Sequence, residues 1–303
     1  MKTTKEIAGR RGFTLVELLV TMGIMLVLAA LVAVSVGNAE ESAQVAHTRA
    51  LIARIHTLLM DRYESYRWRR LPIQIQPGST PAQAATLRCN ALRELMRIEL
   101  PDRWYDVKDP PAIVPRSAAS TSYLAALTSA NPSDTTYQGA DCLYLIVTMG
   151  LEENDVLENF AQSDIGVDPK NRGCACFVDS WGNPIQFLRW APGFNSPLQP
   201  ATPLDRDQTD PTGVYGSPPN TFALYPLIYS AGPDGYYDIL PDLQYATSPG
   251  QPLRYSQTNP PNNPFVNVGT PNAMGTPTVI SPPNTTGTLG SYDNITNQSL
   301  DLR

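Results

Sequence analysis

Two hydrophobic patterns run without a break through the N-terminal quarter of the chain. Residues 13–36 are apolar on every face, 24 residues in which Glu17 is the only charge. At about 1.5 Å per residue, a helix of that length is ~36 Å long and spans a bilayer core. From residue 39 the pattern changes. Val45, Ile52, Ile55, Leu59, Tyr63 and Tyr66 fall at helical steps on one face, while Glu40, Glu41, Arg49, Arg54, Asp61, Arg62 and Arg67 fill the others. No proline or glycine interrupts residues 39–70, and Pro72 is the natural stop. The spacing predicts one helix of about 58 residues, roughly 87 Å long. Gly37-Asn38 is the place for a kink or local melt.

Later elements are shorter. Residues 71–81 read as a Pro/Gly loop. Residues 81–98 predict a helix with Leu87, Leu92, Leu95 and Met96 near one stripe, and a short helix is expected around 120–127. Residues 142–149 are apolar and fit either a strand or a buried helix; 152–160 read as a short helix. Trp181-Gly182-Asn183-Pro184 supplies turn chemistry before the alternating Ile185-Gln186-Phe187-Leu188, and residues 222–230 predict a second strand. Of 29 prolines, 18 lie at or after Pro197. Residues 247–303 hold too few apolar groups to offset the entropy of ordering, and predict a mostly disordered or extended tail.

Charge and composition narrow the chemistry. The formal net charge is −6. Removing the basic first 12 residues leaves 18 basic against 27 acidic residues, a net charge of −9 and no nucleic-acid surface. There is no G-x-S-x-G, P-loop or His-Glu-x-x-His, and the two histidines, His47 and His56, are nine apart rather than four. An enzyme is not expected. Glu17 is the anomaly, because a carboxylate at membrane depth costs a few kcal/mol and usually has a partner and a function. Cys89, Cys142, Cys174 and Cys176 are disulfide candidates; a bridge within Cys174-Ala-Cys176 would be strained, which favours pairing each with Cys89 or Cys142. Free buried thiols are the alternative.

Arg10-Arg11-Gly12-Phe13-Thr14-Leu15-Val16-Glu17 resembles the class III signal of type IV prepilins and type II secretion pseudopilins. The resemblance implies cleavage after Gly12 by a prepilin peptidase, methylation of Phe13, and an assembly role for Glu17 opposite the new amine of Phe13 on a neighbouring subunit. An ordinary secretory signal has a shorter apolar core with its cut site after it. Further on, Asp179-Ser-Trp-Gly-Asn-Pro-Ile-Gln-Phe and Tyr229-Ser-Ala-Gly-Pro-Asp-Gly resemble the C-terminal half of the major pseudopilin. That likeness implies a small antiparallel sheet and a calcium ion held by Asp234, with Asp238 and Asp242 as further ligands; a plain turn is the alternative. Asp205, Asp207 and Asp210, in a loop over 192–221, form a second candidate cation group.

The implied fold class is α+β, a long N-terminal helix packed on a small antiparallel β head. Its divisions are a leader over 1–12, a transmembrane and assembly helix over 13–36, and the amphipathic half of that helix over 37–71. A helical insertion over 72–140, the β head over 141–246 and the tail over 247–303 follow. The implied function is that of a structural subunit of a type II secretion pseudopilus or type IV pilus-like filament. The alternative is a minor or tip subunit whose enlarged head binds a secreted protein or surface ligand. Implied partners are identical or related subunits, the prepilin peptidase and an inner-membrane assembly platform. The chain would cross the bacterial inner membrane once, with a cytoplasmic N-terminus and a periplasmic head.

Overall fold

The computed structural model describes residues 13–150, 156–200, 202–241, 264–265, 273–277 and 294–302. The chain divides into two compact units, residues 1–44 and 45–303. Helix α1 (Leu15–Ser65) begins in the first and ends in the second. Gly37 and Asn38 are both helical, so the local melt offered there does not occur.

In the first unit the apolar side chains of α1 face outward, with Leu15 79 % exposed. Among the described residues one helix is long and apolar enough to cross a membrane, the one beginning at Leu15, and none of its apolar window is buried within the protein.

In the second unit the same helix turns one face inward. Ile52, Ile55 and Leu59 are fully buried, and Tyr63 and Tyr66 nearly so. A 3₁₀ turn over Tyr66–Trp68 ends the helix, with Arg69 extended after it. Helix α2 (Pro81–Glu99) starts on a capping box: Gln83 N donates to Thr80 Oγ1 at 3.3 Å, and Thr80 N donates to Gln83 Oε1 at 2.9 Å. Pro81 takes the first helical position, where its missing N–H costs nothing. Leu92, Leu95, Met96 and Ile98 of α2 join the α1 face in one core. Residues 72–140, expected as an insertion, thus supply part of that core.

Three more helices follow: α3 (Trp104–Lys108), α4 (Ala118–Ala130) and α5 (Gln138–Leu145). Helix α3 has no counterpart in the sequence expectation. Residues 142–149 resolve in favour of helix, since α5 continues into a π turn over Ile146–Gly150. Of the short helix expected over 152–160, Val156–Asn159 forms a 3₁₀ turn, and 151–155 lie outside the described residues.

The strands are short. β1 (Ile165–Val167) pairs antiparallel with β2 (Ala175–Phe177). β3 (Gln186–Leu188), β4 (Leu227–Ser230) and β5 (Ile295–Thr296) form an antiparallel sheet in that order, with Phe187 opposite Ile228 and Ser230 opposite Ile295. The second strand was expected from residue 222; it starts at Leu227, directly after Pro226, which has no N–H for a ladder. The tail contributes to the fold at three places. Ala273 and Met274 are buried, Phe265 packs edge-on to Phe222, and Ile295 enters the main core. Outside 264–265, 273–277 and 294–302, residues 247–303 lie beyond the described set.

Sheets this small leave much of the backbone in loops, and buried charges hold those loops. Glu94 on α2 accepts three backbone N–H bonds, from Ala112 at 2.8 Å, Ile113 at 2.6 Å and Val114 at 2.9 Å. Glu99 accepts from Tyr66 Oη at 2.7 Å, Arg62 Nη2 at 3.0 Å and Arg69 Nη2 at 3.0 Å, which ties the end of α1 to the end of α2. Arg189 Nη1 reaches Asp106 Oδ2 and the Leu100 carbonyl, each at 2.8 Å. Glu94, Glu99, Asp106 and Arg189 are buried and would be costly without their partners.

Truncating the α1 face tests its role. Ile55→Ala should lower the unfolding free energy by about 2–5 kcal/mol, because the space it leaves cannot fully collapse. Exposed Arg88→Ala should stay within about 0.5 kcal/mol. Denaturant melts of the micelle-embedded chain, followed by Trp fluorescence, measure both.

Candidate functional site

The start of α1 is built from four residues. Thr14 precedes the first helical residue, Leu15, and Glu17 is the third residue of the helix. Glu17 N donates to Thr14 Oγ1 at 3.2 Å. In return, Thr14 N and Thr14 Oγ1 each donate to Glu17 Oε2 at 3.0 Å. This is a reciprocal capping box, satisfying N–H groups that an apolar environment leaves without water. The T-x-x-E spacing is readable in sequence, so Glu17 has a local partner as well as the neighbouring amine that the resemblance implies. Phe13 is the first described residue; Gly12 lies outside the described set.

The two C-terminal motifs meet. Asp179 Oδ1 accepts from Trp181 N at 3.0 Å and Asn183 N at 2.8 Å, and Gly182 takes the left-handed conformation that closes this turn, φ +87°. The other carboxylate oxygen accepts from Ser230 Oγ at 2.6 Å, and Ser230 Oγ in turn accepts from Gly232 N at 3.0 Å. One buried carboxylate therefore joins the turn before β3 to the loop after β4.

Residues 7–33 match the family model of the prokaryotic N-terminal methylation motif. The chain carries a prepilin-type N-terminus. No curated protein and no solved structure matches it significantly. The motif implies processing by a prepilin peptidase and assembly into polymers, and the outward-facing apolar helix behind it is consistent with membrane anchoring.

Elsewhere on the chain, the structure places several of the acidic groups considered for cations. Asp234 is exposed and accepts from Tyr236 N at 2.8 Å, capping its own turn. Asp238 is buried with a left-handed backbone, φ 44°, and Asp242 lies outside the described residues. Asp207 pairs with buried Arg93 at 2.8 Å, while Asp210 accepts from Val214 N at 2.9 Å and Tyr215 N at 2.7 Å. The 192–221 loop is thereby pinned to α2. Among the described residues no group of three His, Cys, Asp or Glu side chains is placed to hold a metal ion.

All four cysteines are buried and free; the two bridges offered by their count are not formed in the structure. They sit among different neighbours. Cys89 lies beside Thr209, Cys142 packs with Trp104 and Tyr123, and Cys174 and Cys176 face Asp141. Burial pushes the Cys89 thiol up to about 11 and those of Cys174 and Cys176 up to about 12, so none of these three is a ready thiolate.

The fold also aligns Ser180, His47 and Asp164, far apart in sequence. Ser180 Oγ is 3.2 Å from His47 Nδ1, and His47 Nε2 is 3.4 Å from Asp164 Oδ1. The order suggests a nucleophile and base, yet the amides that would bind an oxyanion are taken: Ser180 N donates to Thr48 Oγ1 and Trp181 N to Asp179 Oδ1. The row fastens α1 to the 179–184 turn. Ser180→Ala should cost about 1 kcal/mol of stability, and p-nitrophenyl acetate turnover should equal that of the parent. A turnover rate lost with Ser180 would make the row a catalyst instead.

Asp141 is strongly displaced. Its carboxyl is buried beside Asp168, and both effects push its pKa up to about 8, against the bond from Trp104 Nε1 at 3.2 Å. In the unfolded chain it titrates near 3.9. The folded protein therefore holds a proton that the unfolded chain has lost, so stability present below about pH 4 declines as pH rises towards about 8. Asp141→Asn should remove that decline. Its melting temperature should gain on the parent between pH 5 and pH 9, and parallel pH profiles would contradict the assignment.

Proposed function

We propose that the chain is a structural subunit of a pilus-like filament, either a type II secretion pseudopilus or a type IV pilus, assembled through α1 after cleavage between Gly12 and Phe13. The observation that carries this reading is the apolar, outward-facing first half of α1 directly behind a prepilin-type signal. Exposed apolar surface of this extent needs a partner, either lipid or the same helix of other subunits. The joined Asp179–Ser230 motifs favour the pseudopilus. A head of this size, with α2 to α5 built into its core, is also suited to a minor subunit that meets a secreted protein.

The cap at Thr14 sharpens the role of Glu17. Its Oε2 is engaged within its own helix, and its Oε1 makes no bond among the described residues. In the filament, Oε1 would meet the amine of Phe13 on a neighbour, neutralising two charges in an apolar core.

Intact mass of the purified chain should begin at N-methyl-Phe13; a mature N-terminus beyond residue 36 would remove the prepilin reading. Two substitutions then separate capping from charge. Glu17→Gln keeps a side chain able to complete the capping box but carries no charge. If pairing with the amine drives assembly, Glu17→Gln and Glu17→Ala should both insert, be cleaved, and give little filament. Parent-level filament from Glu17→Gln alone would make capping the whole role.

A further inference from the structure

A cavity of about 230 Å³ opens between α5, β3 and the loop after β4, lined by Asp102, Arg103, Gln138, Tyr229, Tyr236 and Tyr237, among others. It lies in the second unit, apart from the assembly segment. Its floor is ionic but internally matched. Arg103 Nε donates to Asp102 Oδ1 at 2.8 Å, and Arg189 N donates to Asp102 Oδ2 at 3.0 Å.

Neutral polar groups remain for an occupant. Tyr229 is 2 % exposed, and its hydroxyl makes no hydrogen bond among the described residues. Gln138 is 6 % exposed; its Oε1 accepts from Trp104 N at 3.3 Å, while its amide NH₂ makes no bond among the described residues. Buried polar groups are normally satisfied, and two such groups on one cavity wall mark a place for a hydrogen-bonding guest. The rim is aromatic. Tyr237 stands edge-on to Tyr229 at 5.9 Å and to Tyr137 at 6.2 Å, and Tyr236 is 44 % exposed.

We propose that this cavity binds one pyranose unit of a glycan. The Tyr229 hydroxyl and the Gln138 amide bond ring hydroxyls, and the Tyr236 ring covers a sugar face. Three features select this class. The polar groups on offer are a phenol and an amide, with the buried carboxylate of Asp238 on the same lining, a set that suits the hydroxyl groups of a sugar. The rim gives a flat apolar face, which matches the C–H side of a sugar ring. The volume is below the ~300–1,000 Å³ of drug-sized pockets and suits a single ring. The proposal does not depend on polymerisation, since an unassembled subunit has the same cavity.

The test uses the full mature chain in phosphocholine-detergent micelles and saturation-transfer NMR. The probes are the methyl glycosides of glucose, galactose, mannose and N-acetylglucosamine, with putrescine as a cationic and acetate as an anionic control. At least one glycoside should give saturable, millimolar binding. Tyr229→Phe, which keeps the ring, should weaken it about three- to tenfold, the worth of one neutral hydrogen bond. Tyr236→Ala should weaken it as well, and both variants should melt with the parent. The proposal is overturned if none of the four glycosides binds saturably, if neither variant changes the binding, or if only putrescine or acetate binds.

Discussion

The second unit is organised by the need to keep one face of α1 out of water. Ile52, Ile55 and Leu59 are completely covered, and the covering comes from α2, α5, the π turn after it and both sheets. Burying a large aliphatic side chain contributes about 1.5–3 kcal/mol, so these three together stabilise the unit by several kcal/mol. The first half of the same helix has no such cover within the chain. Helical periodicity explains the division. A 3.6-residue repeat with apolar groups on one stripe can be served by a protein core, whereas a run that is apolar all round needs an apolar solvent.

Five strands of two to four residues cannot organise a unit of this size by ladder bonds alone. Side-chain carboxylates and guanidinium groups do the remaining work, the carboxylates by accepting backbone N–H bonds and Arg93 by donating to the Asp207 and Thr209 side chains. Glu94 holds 112–114, Asp179 holds 181–183 and reaches Ser230, and Arg93 holds 207–209. A buried charge with several directed partners fixes geometry more strictly than apolar contact does, because each unpaired group would cost its full desolvation.

Much of this was legible in sequence where the signal was local and periodic. The α1 face, α2 and the prepilin-type junction follow from residues within one or two turns of each other. The Asp179 turn and the strand after it were readable from Trp181-Gly182-Asn183-Pro184. What escaped depended on partners far away in the chain. Residues 142–149 are apolar on all sides, and such a run has no period to separate strand from helix. Helix α3 is five residues long, too short to show one. The Ser180–His47 contact joins residues 133 positions apart. The capping box at Thr14 is the exception: its letters were in view, but the unusual charge of Glu17 drew the reading outward to a neighbour instead of back along its own helix.

Strand β5 has a consequence for the order in which the unit folds. Ile295 belongs to the same apolar cluster as Ile55, about 240 positions earlier. A chain made from its N-terminus cannot close that cluster until residue 295 has followed. Until then β4 presents the edge that Thr296 later pairs, and Ile228 N lacks the Asn297 side-chain oxygen that takes its hydrogen bond at 2.9 Å. Contacts this distant form slowly, because loop closure must be met before they stabilise anything. Folding of this unit therefore waits on its C-terminal segment, and the arrival of residue 295 marks the moment at which the native core can first close in full.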